Sequence, residues 1–133
     1  MKQVFVSYAS GDEDVARDLA ENFRDIDLAG WMDQSDIAWG DAIADKIKDS
    51  LRRSSAIVVL VSERSLRNQW VHFEVGAALG MGKRIIPILV GQGDIDRSLP
   101  DWLQGIAYVD GRGRPMREVV DEVARVLASE GIV

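Results

Sequence analysis

Short apolar runs alternate with longer segments of helical periodicity along most of this chain. The runs are continuously apolar, as in strands that are buried on both faces of a parallel sheet. Five of them are predicted to be strands: Val4–Val6, Ala29–Met32, Ala56–Val61, Arg84–Val90 and Ile106–Val109. Strands that alternate with helices in this way indicate an α/β domain with a parallel sheet and helices on both faces.

The segments between the strands repeat their apolar residues at the spacing of one helix face. Ser10 with Glu13 matches a capping box, so we expect the first helix to begin near Gly11. The second helix should begin at Gly40 or Asp41, after a polar loop.

Later in the chain, a third helix is expected from about Asn68 to the glycines at 80 and 82. A terminal helix is marked by the apolar residues of 119–127. Pro87 stands in the middle of the fourth predicted strand. Because proline has no N–H to donate, it favours a sheet edge or a bulge.

Composition narrows the class of protein. With 133 residues, we expect 1–133 to be a single domain, and its start and end fit a domain excised from a longer protein. A net charge of -6 argues against non-specific binding to nucleic acid or anionic membranes. The chain has no cysteine, and His72 is its only histidine, so we expect no His-pair metal site. No apolar run approaches the roughly 20 residues that span a bilayer, and we expect a cytoplasmic protein.

One stretch, from Ser62 to Gly76, carries the candidate chemistry. It follows the Ala56–Val61 run and reads as the end of a strand followed by a helix. Trp70 and Glu74 are four positions apart, so on a helix they share a face. An acid beyond the carboxyl end of a parallel strand lies where open α/β sheets bind ligands.

Three ordered pieces of the sequence resemble one family. They are V-F-V-S-Y-A-S, then W-M-D followed by I-A-W-G-D-A-I, then S-x-x-S-L-x-x-x-W-x-x-x-E followed by G-K-R-I-I-P-I-L. From Lys2 to about Leu127 they look like a Toll/interleukin-1 receptor (TIR) domain of the bacterial type. The resemblance implies a flavodoxin-like sheet of five parallel strands in the order 2-1-3-4-5, with Pro87 inside it. The chain departs from the family at Asn68-Gln69, where many members carry serine before the tryptophan. The departure either alters substrate contacts or replaces a helix cap.

The resemblance also implies an activity. Many bacterial and plant TIR domains cleave NAD+ at the nicotinamide–ribose bond, and their catalytic carboxylate falls on Glu74 here. A lone acid suffices because neutral nicotinamide leaves without a general acid, unlike the leaving group of ordinary glycosidases. The carboxylate stabilises an oxocarbenium-like ribose, and Trp70 offers a flat wall for a ring of the substrate. NAD+ is then a substrate, and neither a cofactor nor a metal is expected.

Four further residues are candidates for substrate binding. Tyr8 and Ser10 follow the first strand and are placed for phosphate or ribose contacts. The resemblance puts Asp33 at the edge of the pocket, and Trp39 flanks the substrate or contacts another domain. Simpler explanations exist: a turn for Asp33, a cap for Ser10, core packing for Trp70, a solvent-facing acid for Glu74.

The resemblance leaves two kinds of function open. One is an NAD+ glycohydrolase or cyclase that serves bacterial anti-phage defence. The other is a non-catalytic scaffold that binds other TIR domains through the Asp33–Asp41 loop. Both are compatible, because family members gain activity on assembly, so we expect the isolated domain to be monomeric and weakly active.

Two other classes share features of the pattern. A phosphorylatable receiver has the same fold, but it needs an aspartate where Ser62 stands, and we reject it. A nucleoside deoxyribosyltransferase-like enzyme also uses a glutamate at the sheet edge on an N-glycosidic bond, and it stays as a rival.

Overall fold

Within the residues that the structure describes, 2–32, 41–91, 100–101 and 103–133, five parallel strands form a sheet. The structure is a computed structural model. The strands are β1 (Lys2–Ser7), β2 (Leu28–Met32), β3 (Ala56–Val61), β4 (Arg84–Leu89) and β5 (Val109–Asp110). Their order is β2-β1-β3-β4-β5, which confirms the expected flavodoxin-like topology.

The helices lie between the strands and after the last one. They are α1 (Glu13–Asp25), α2 (Asp41–Arg53), α3 (Glu63–Leu66), α4 (Gln69–Gly80) and α5 (Met116–Ser129). The predicted alternation is confirmed, and the short helix α3 is an addition to it. None of the helices in these described ranges is long and apolar enough to cross a membrane.

Alternating side chains of β1 divide the core into two clusters, one on each face of the sheet. Val4 and Val6 belong to the cluster with α1 and α5, whereas Phe5 belongs to the cluster with α2 and α4. β3 is buried along its whole length, as its uninterrupted apolar run predicts. Helices therefore cover both faces of the sheet.

The first helix begins at Glu13 rather than near Gly11, and its N-cap is Asp12. Gly11 has a φ of +100°, a left-handed conformation that cannot continue a right-handed helix. Its N–H donates to the two oxygens of Glu13 at 3.0 and 2.9 Å, which holds the pKa of that carboxyl below its ordinary value. The predicted capping box with Ser10 at the N-cap is therefore wrong.

The last strand is shorter than predicted, covering Val109–Asp110 instead of Ile106–Val109. The N–H of Ile106 donates to the Leu103 carbonyl at 3.3 Å, within a turn. Tyr108 is 41% exposed. The apolar residues before β5 thus belong to a surface connection, and the prediction of strand there is wrong.

Pro87 lies inside β4, opposite Val59 of β3, as the resemblance implied. The Val90 N–H donates to the Val61 carbonyl at 3.0 Å, and N–H groups of a strand alternate in direction, so the Pro87 nitrogen faces the β5 side. Pairing of β4 with β5 begins only at Ile88. The proline therefore removes no hydrogen bond from the ladder.

The strand order reverses at β1 and β3. The chain passes from β1 to β2 on one side, while β3 pairs with β1 on the other. In open α/β sheets, ligands bind outside the carboxyl ends of the strands at such a point. The end of β1 is therefore the place where a site is expected.

Candidate active site

Glu74 is a fully buried carboxylate. Its side chain is 0% exposed, and its Oε1 accepts a hydrogen bond of 2.7 Å from the Ser7 hydroxyl. Ser7 is itself fully buried. Glu74 is thus not a solvent-facing helix acid, and that simpler explanation is wrong. A carboxylate in a protein interior costs free energy, so its presence calls for a reason.

The position of Glu74 on α4 is a core position. The buried residues of this helix are Val71, Glu74, Val75 and Ala78. They follow the spacing of a single apolar helix face. The sequence thus breaks its own hydrophobic pattern here, and such breaks are typical of functional sites.

Asn68 fixes the start of α4. Its side-chain oxygen accepts from the N–H groups of Trp70 and Val71, at 2.8 and 3.1 Å. The residue that stands two positions before the tryptophan therefore caps the helix, which confirms one of the two expectations for the departure from the family. The His72 ring lies 2.8 Å from the Leu66 carbonyl and ties α4 to the end of α3.

Ser7 is the residue of the site that the sequence did not single out. It ends β1, where it pairs with Val59 of β3. By alternation it lies on the same sheet face as Phe5, the face that α4 covers. The available signal was a hydroxyl at a core-facing position of a strand.

Trp70 precedes Glu74 by one helical turn, as the spacing predicts. Its ring is partly buried against the cluster of α2 and α4. It meets Phe73 edge-on, with ring centroids 5.4 Å apart and an interplanar angle of 83°. Trp70 therefore contributes to the core and also keeps part of its surface exposed.

The other candidate residues are placed differently. Tyr8 is 6% exposed and packs in the cluster of α1 and α5, on the sheet face opposite α4. Ser10 is exposed in the connection from β1 to α1. Both follow the end of β1, but the Tyr8 side chain lies away from the face that carries Glu74. Asp33 and Trp39 lie outside the described residues.

A second polar cluster joins two loops at the same end of the sheet. The buried Asp12 accepts 2.6 Å from the Ser62 hydroxyl and 3.0 Å from Arg64. A Cβ on Gly11 would come within 2.8 Å of the Arg64 side chain, which would have to shift, and the φ of +100° at Gly11 favours glycine in any case. The cluster fastens the connection after β1 to the connection after β3.

A cavity of about 270 Å³ lies over this cluster, at the ends of β3 and β4. Its lining residues are Asp12, Ser62, Glu63, Arg64, Val90 and Gly91. The charge of Asp12 is already matched by Arg64, so the cluster serves to hold the loops in place.

The fold and the site together define a flavodoxin-like α/β domain with a buried carboxylate beside the point where the strand order reverses. The chain belongs to the TIR domain family, because residues 4–127 match the sequence model of the TIR domain.

Two relatives are bacterial enzymes by name. The 2′ cyclic ADP-D-ribose synthase AbTIR of Acinetobacter baumannii is 32% identical over 90 residues, which cover 64% of this chain and 34% of that protein. The 2′ cyclic ADP-D-ribose synthase BtTIR of Bacteroides thetaiotaomicron is 32% identical over 89 residues, 63% of this chain and 31% of that protein. The chain thus spans about a third of the length of these relatives.

A solved structure supports the fold independently. The TIR domain of the Toll-related receptor TRR-2 from Hydra magnipapillata superposes with a TM-score of 0.68 at 21% identity. The match covers 97% of this chain and 96% of that one.

Proposed function

We propose that this domain cleaves NAD+ between nicotinamide and ribose, with Glu74 as the catalytic carboxylate. The observation that carries the proposal is the burial of Glu74 at a core position of α4, beside the end of β1. The names of the two bacterial relatives, both 2′ cyclic ADP-D-ribose synthases, support the same chemistry.

The chemistry suits a single acid. The bond between the ribose anomeric carbon and the pyridinium nitrogen breaks, and its electron pair neutralises the ring, so nicotinamide leaves without a proton. Positive charge develops on the ribose, and a carboxylate in a water-poor interior stabilises it more strongly than one in water. Trp70 provides an aromatic surface one turn away for a ring of the substrate.

The fate of the ribose cation decides the product. Attack by water, with loss of a proton, gives ADP-ribose. Attack by a hydroxyl of the same molecule, again with loss of a proton, gives a cyclic ADP-ribose. We propose the cyclic product as a component of the output, because both relatives are named for it.

We propose that assembly with other TIR domains, through the Asp33–Asp41 segment, makes Glu74 accessible. With 0% of its side chain exposed, Glu74 meets a substrate only after neighbouring groups move. The same observation favours a second candidate function, a non-catalytic TIR–TIR interaction domain in which Glu74 has a structural role.

The test compares wild type, Glu74→Gln and Glu21→Gln for NAD+ loss at high protein concentration. Products are resolved by chromatography, which separates nicotinamide, ADP-ribose and cyclic ADP-ribose. Glu21 is an exposed acid of α1 and serves as the matched control. We expect nicotinamide release by wild type and Glu21→Gln and none by Glu74→Gln.

Other outcomes point elsewhere. Equal NAD+ loss in all three proteins would remove Glu74 as the catalyst. No NAD+ loss at any concentration or under crowding would favour the interaction domain. Release of a base from a nucleoside but not from NAD+ would favour the deoxyribosyltransferase-like rival.

A further inference from the structure

We propose that Ser7 is a positioning residue for Glu74, which orients the carboxylate and stabilises its charged form for the cleavage step. This proposal rests on the NAD+ cleavage proposed above. It concerns a contact between residues that are 67 positions apart in the chain and meet only in the folded protein.

The geometry of the contact is that of a well-formed hydrogen bond. The Ser7 hydroxyl lies 2.7 Å from Oε1 of Glu74, and both side chains are 0% exposed. The hydroxyl donates and the carboxyl oxygen accepts. Bonds from a donor to a charged acceptor are shorter and stronger than neutral ones.

The support behind Ser7 is rigid. β1 has a strand on each side, and Ser7 itself pairs with Val59 of β3. The neighbouring residues on this face, Phe5 and Ala9, are buried in the apolar cluster of α2 and α4. The backbone that carries the hydroxyl is therefore fixed, and the hydroxyl donates to one defined oxygen of the carboxylate, Oε1.

A fixed donor has two consequences for the reaction. It keeps the carboxylate from turning toward alternative partners, so less reorganisation is needed when charge develops on the ribose. It also compensates part of the cost of keeping Glu74 charged in the interior. Both effects act on the chemical step, so loss of the hydroxyl should lower kcat and leave KM nearly unchanged.

The experiment measures kcat and KM for nicotinamide release by Ser7→Ala, Ser7→Thr and Ser7→Cys, in the condition in which wild type is active. We expect Ser7→Ala to lower kcat by about 10- to 100-fold, the range for loss of a hydrogen bond to a charged group. Its KM should stay within about threefold of wild type. Ser7→Thr keeps the hydroxyl and should restore most of kcat. Ser7→Cys, a weak donor of similar size, should fall between serine and alanine.

The matched control is Ser54→Ala. Ser54 is also buried, accepts from the Gln3 amide at 2.9 Å and donates to the Ser50 carbonyl at 2.8 Å. It precedes β3 and so lies at the opposite end of the sheet. The Ser54→Ala substitution should lower the midpoint of thermal unfolding, as Ser7→Ala does, but leave kcat unchanged.

Three results would overturn the proposal. One is a Ser7→Ala protein with wild-type kcat. Another is an equal loss of kcat in Ser54→Ala, which would trace the effect to stability alone. The third is a loss in Ser7→Ala that neither threonine nor cysteine relieves. These results differ from those expected if the proposed function is wrong. In that case wild type would release no nicotinamide, or Glu74→Gln would release as much nicotinamide as wild type.

Discussion

At the scale of single residues, burial of the Glu74 carboxylate in the core costs folding free energy. Glu74 takes a place that the helical pattern of α4 assigns to an apolar residue, and Ser7 donates a hydrogen bond to it. Removing one member of a buried polar pair leaves the other unsatisfied, whereas replacing both with apolar groups is often neutral or stabilising. Functional residues commonly carry this kind of cost.

The pairing of Ser7 with Glu74 predicts that a second substitution restores the stability lost through the first. Ser7→Ala alone should lower the free energy of unfolding by about 1–3 kcal/mol, because the buried carboxylate loses the hydrogen bond from the Ser7 hydroxyl. The double variant Ser7→Ala/Glu74→Met should recover that loss or exceed wild-type stability, while remaining inactive. Denaturant unfolding, followed by tryptophan fluorescence, measures the free energy of unfolding of the single and the double variant.

The control for this prediction is Ser54→Ala. In the double variant Ser54→Ala/Glu74→Met, the change in the free energy of unfolding should equal the sum of the changes in the two single variants. Effects at distant, independent sites add. If Ser7→Ala/Glu74→Met were less stable than Ser7→Ala, the prediction would be wrong.

The sequence named Glu74 and Trp70 as candidates but not Ser7, which contacts Glu74, and the difference is physical. Glu74 and Trp70 are related by helical spacing, which is local and visible in the chain. The contact of Ser7 with Glu74 depends on how α4 crosses the end of β1, and no spacing rule records it. Tyr8 was proposed from its proximity to β1 alone, and alternation along the strand carries its side chain to the other face.

At the scale of elements, prediction succeeded where burial is continuous and failed where pairing is brief. Ala56–Val61 was predicted to the residue, because β3 is central and buried on both faces. β5 pairs with β4 through only two residues. So short a strand leaves little trace in the pattern of apolar residues along the sequence, and its bounds were not predicted. Its end is held instead by Arg112, which contacts both oxygens of Asp110 at 2.9 Å and lowers the pKa of that carboxyl to about 2.

The cap of α4 yields a prediction at this scale. Asn68→Ala should lower the free energy of unfolding by about 1 kcal/mol, because two N–H groups lose their acceptor. Asn68→Ser, which introduces the residue that many family members carry, should keep most of the stability. Thermal or denaturant unfolding of the three proteins measures the difference.

The serine variant also separates the two explanations for the departure from the family. If Asn68 acts only as a cap, Asn68→Ser has the KM of wild type for NAD+. A clear change of KM at unchanged stability would instead assign a substrate contact to this position.

At the scale of the whole molecule, the sheet brings the ends of β1 and β3 together and leaves Glu74 beneath the surface. The polar cluster of Asp12, Ser62 and Arg64 fastens the loops that follow these strands. A domain built in this way holds the Glu74 carboxylate in place but does not present it at the surface. Opening must therefore come from a change around the site, and assembly with further copies is the change that we propose.

Activation by assembly predicts a specific dependence on concentration. While assembled protein is the minor species, its fraction grows with total concentration. Nicotinamide release per molecule should therefore rise by about tenfold for a tenfold rise in concentration if the active species is a dimer, and more steeply if it is larger. Light scattering on the same samples should show a monomer in the dilute, weakly active range and larger species as activity rises. Glu74→Gln should assemble in the same way without releasing nicotinamide, because its change lies in the chemistry and not at the surface. Constant activity per molecule across a range in which the protein stays monomeric would mean that Glu74 becomes accessible within a single chain, and assembly would lose its role.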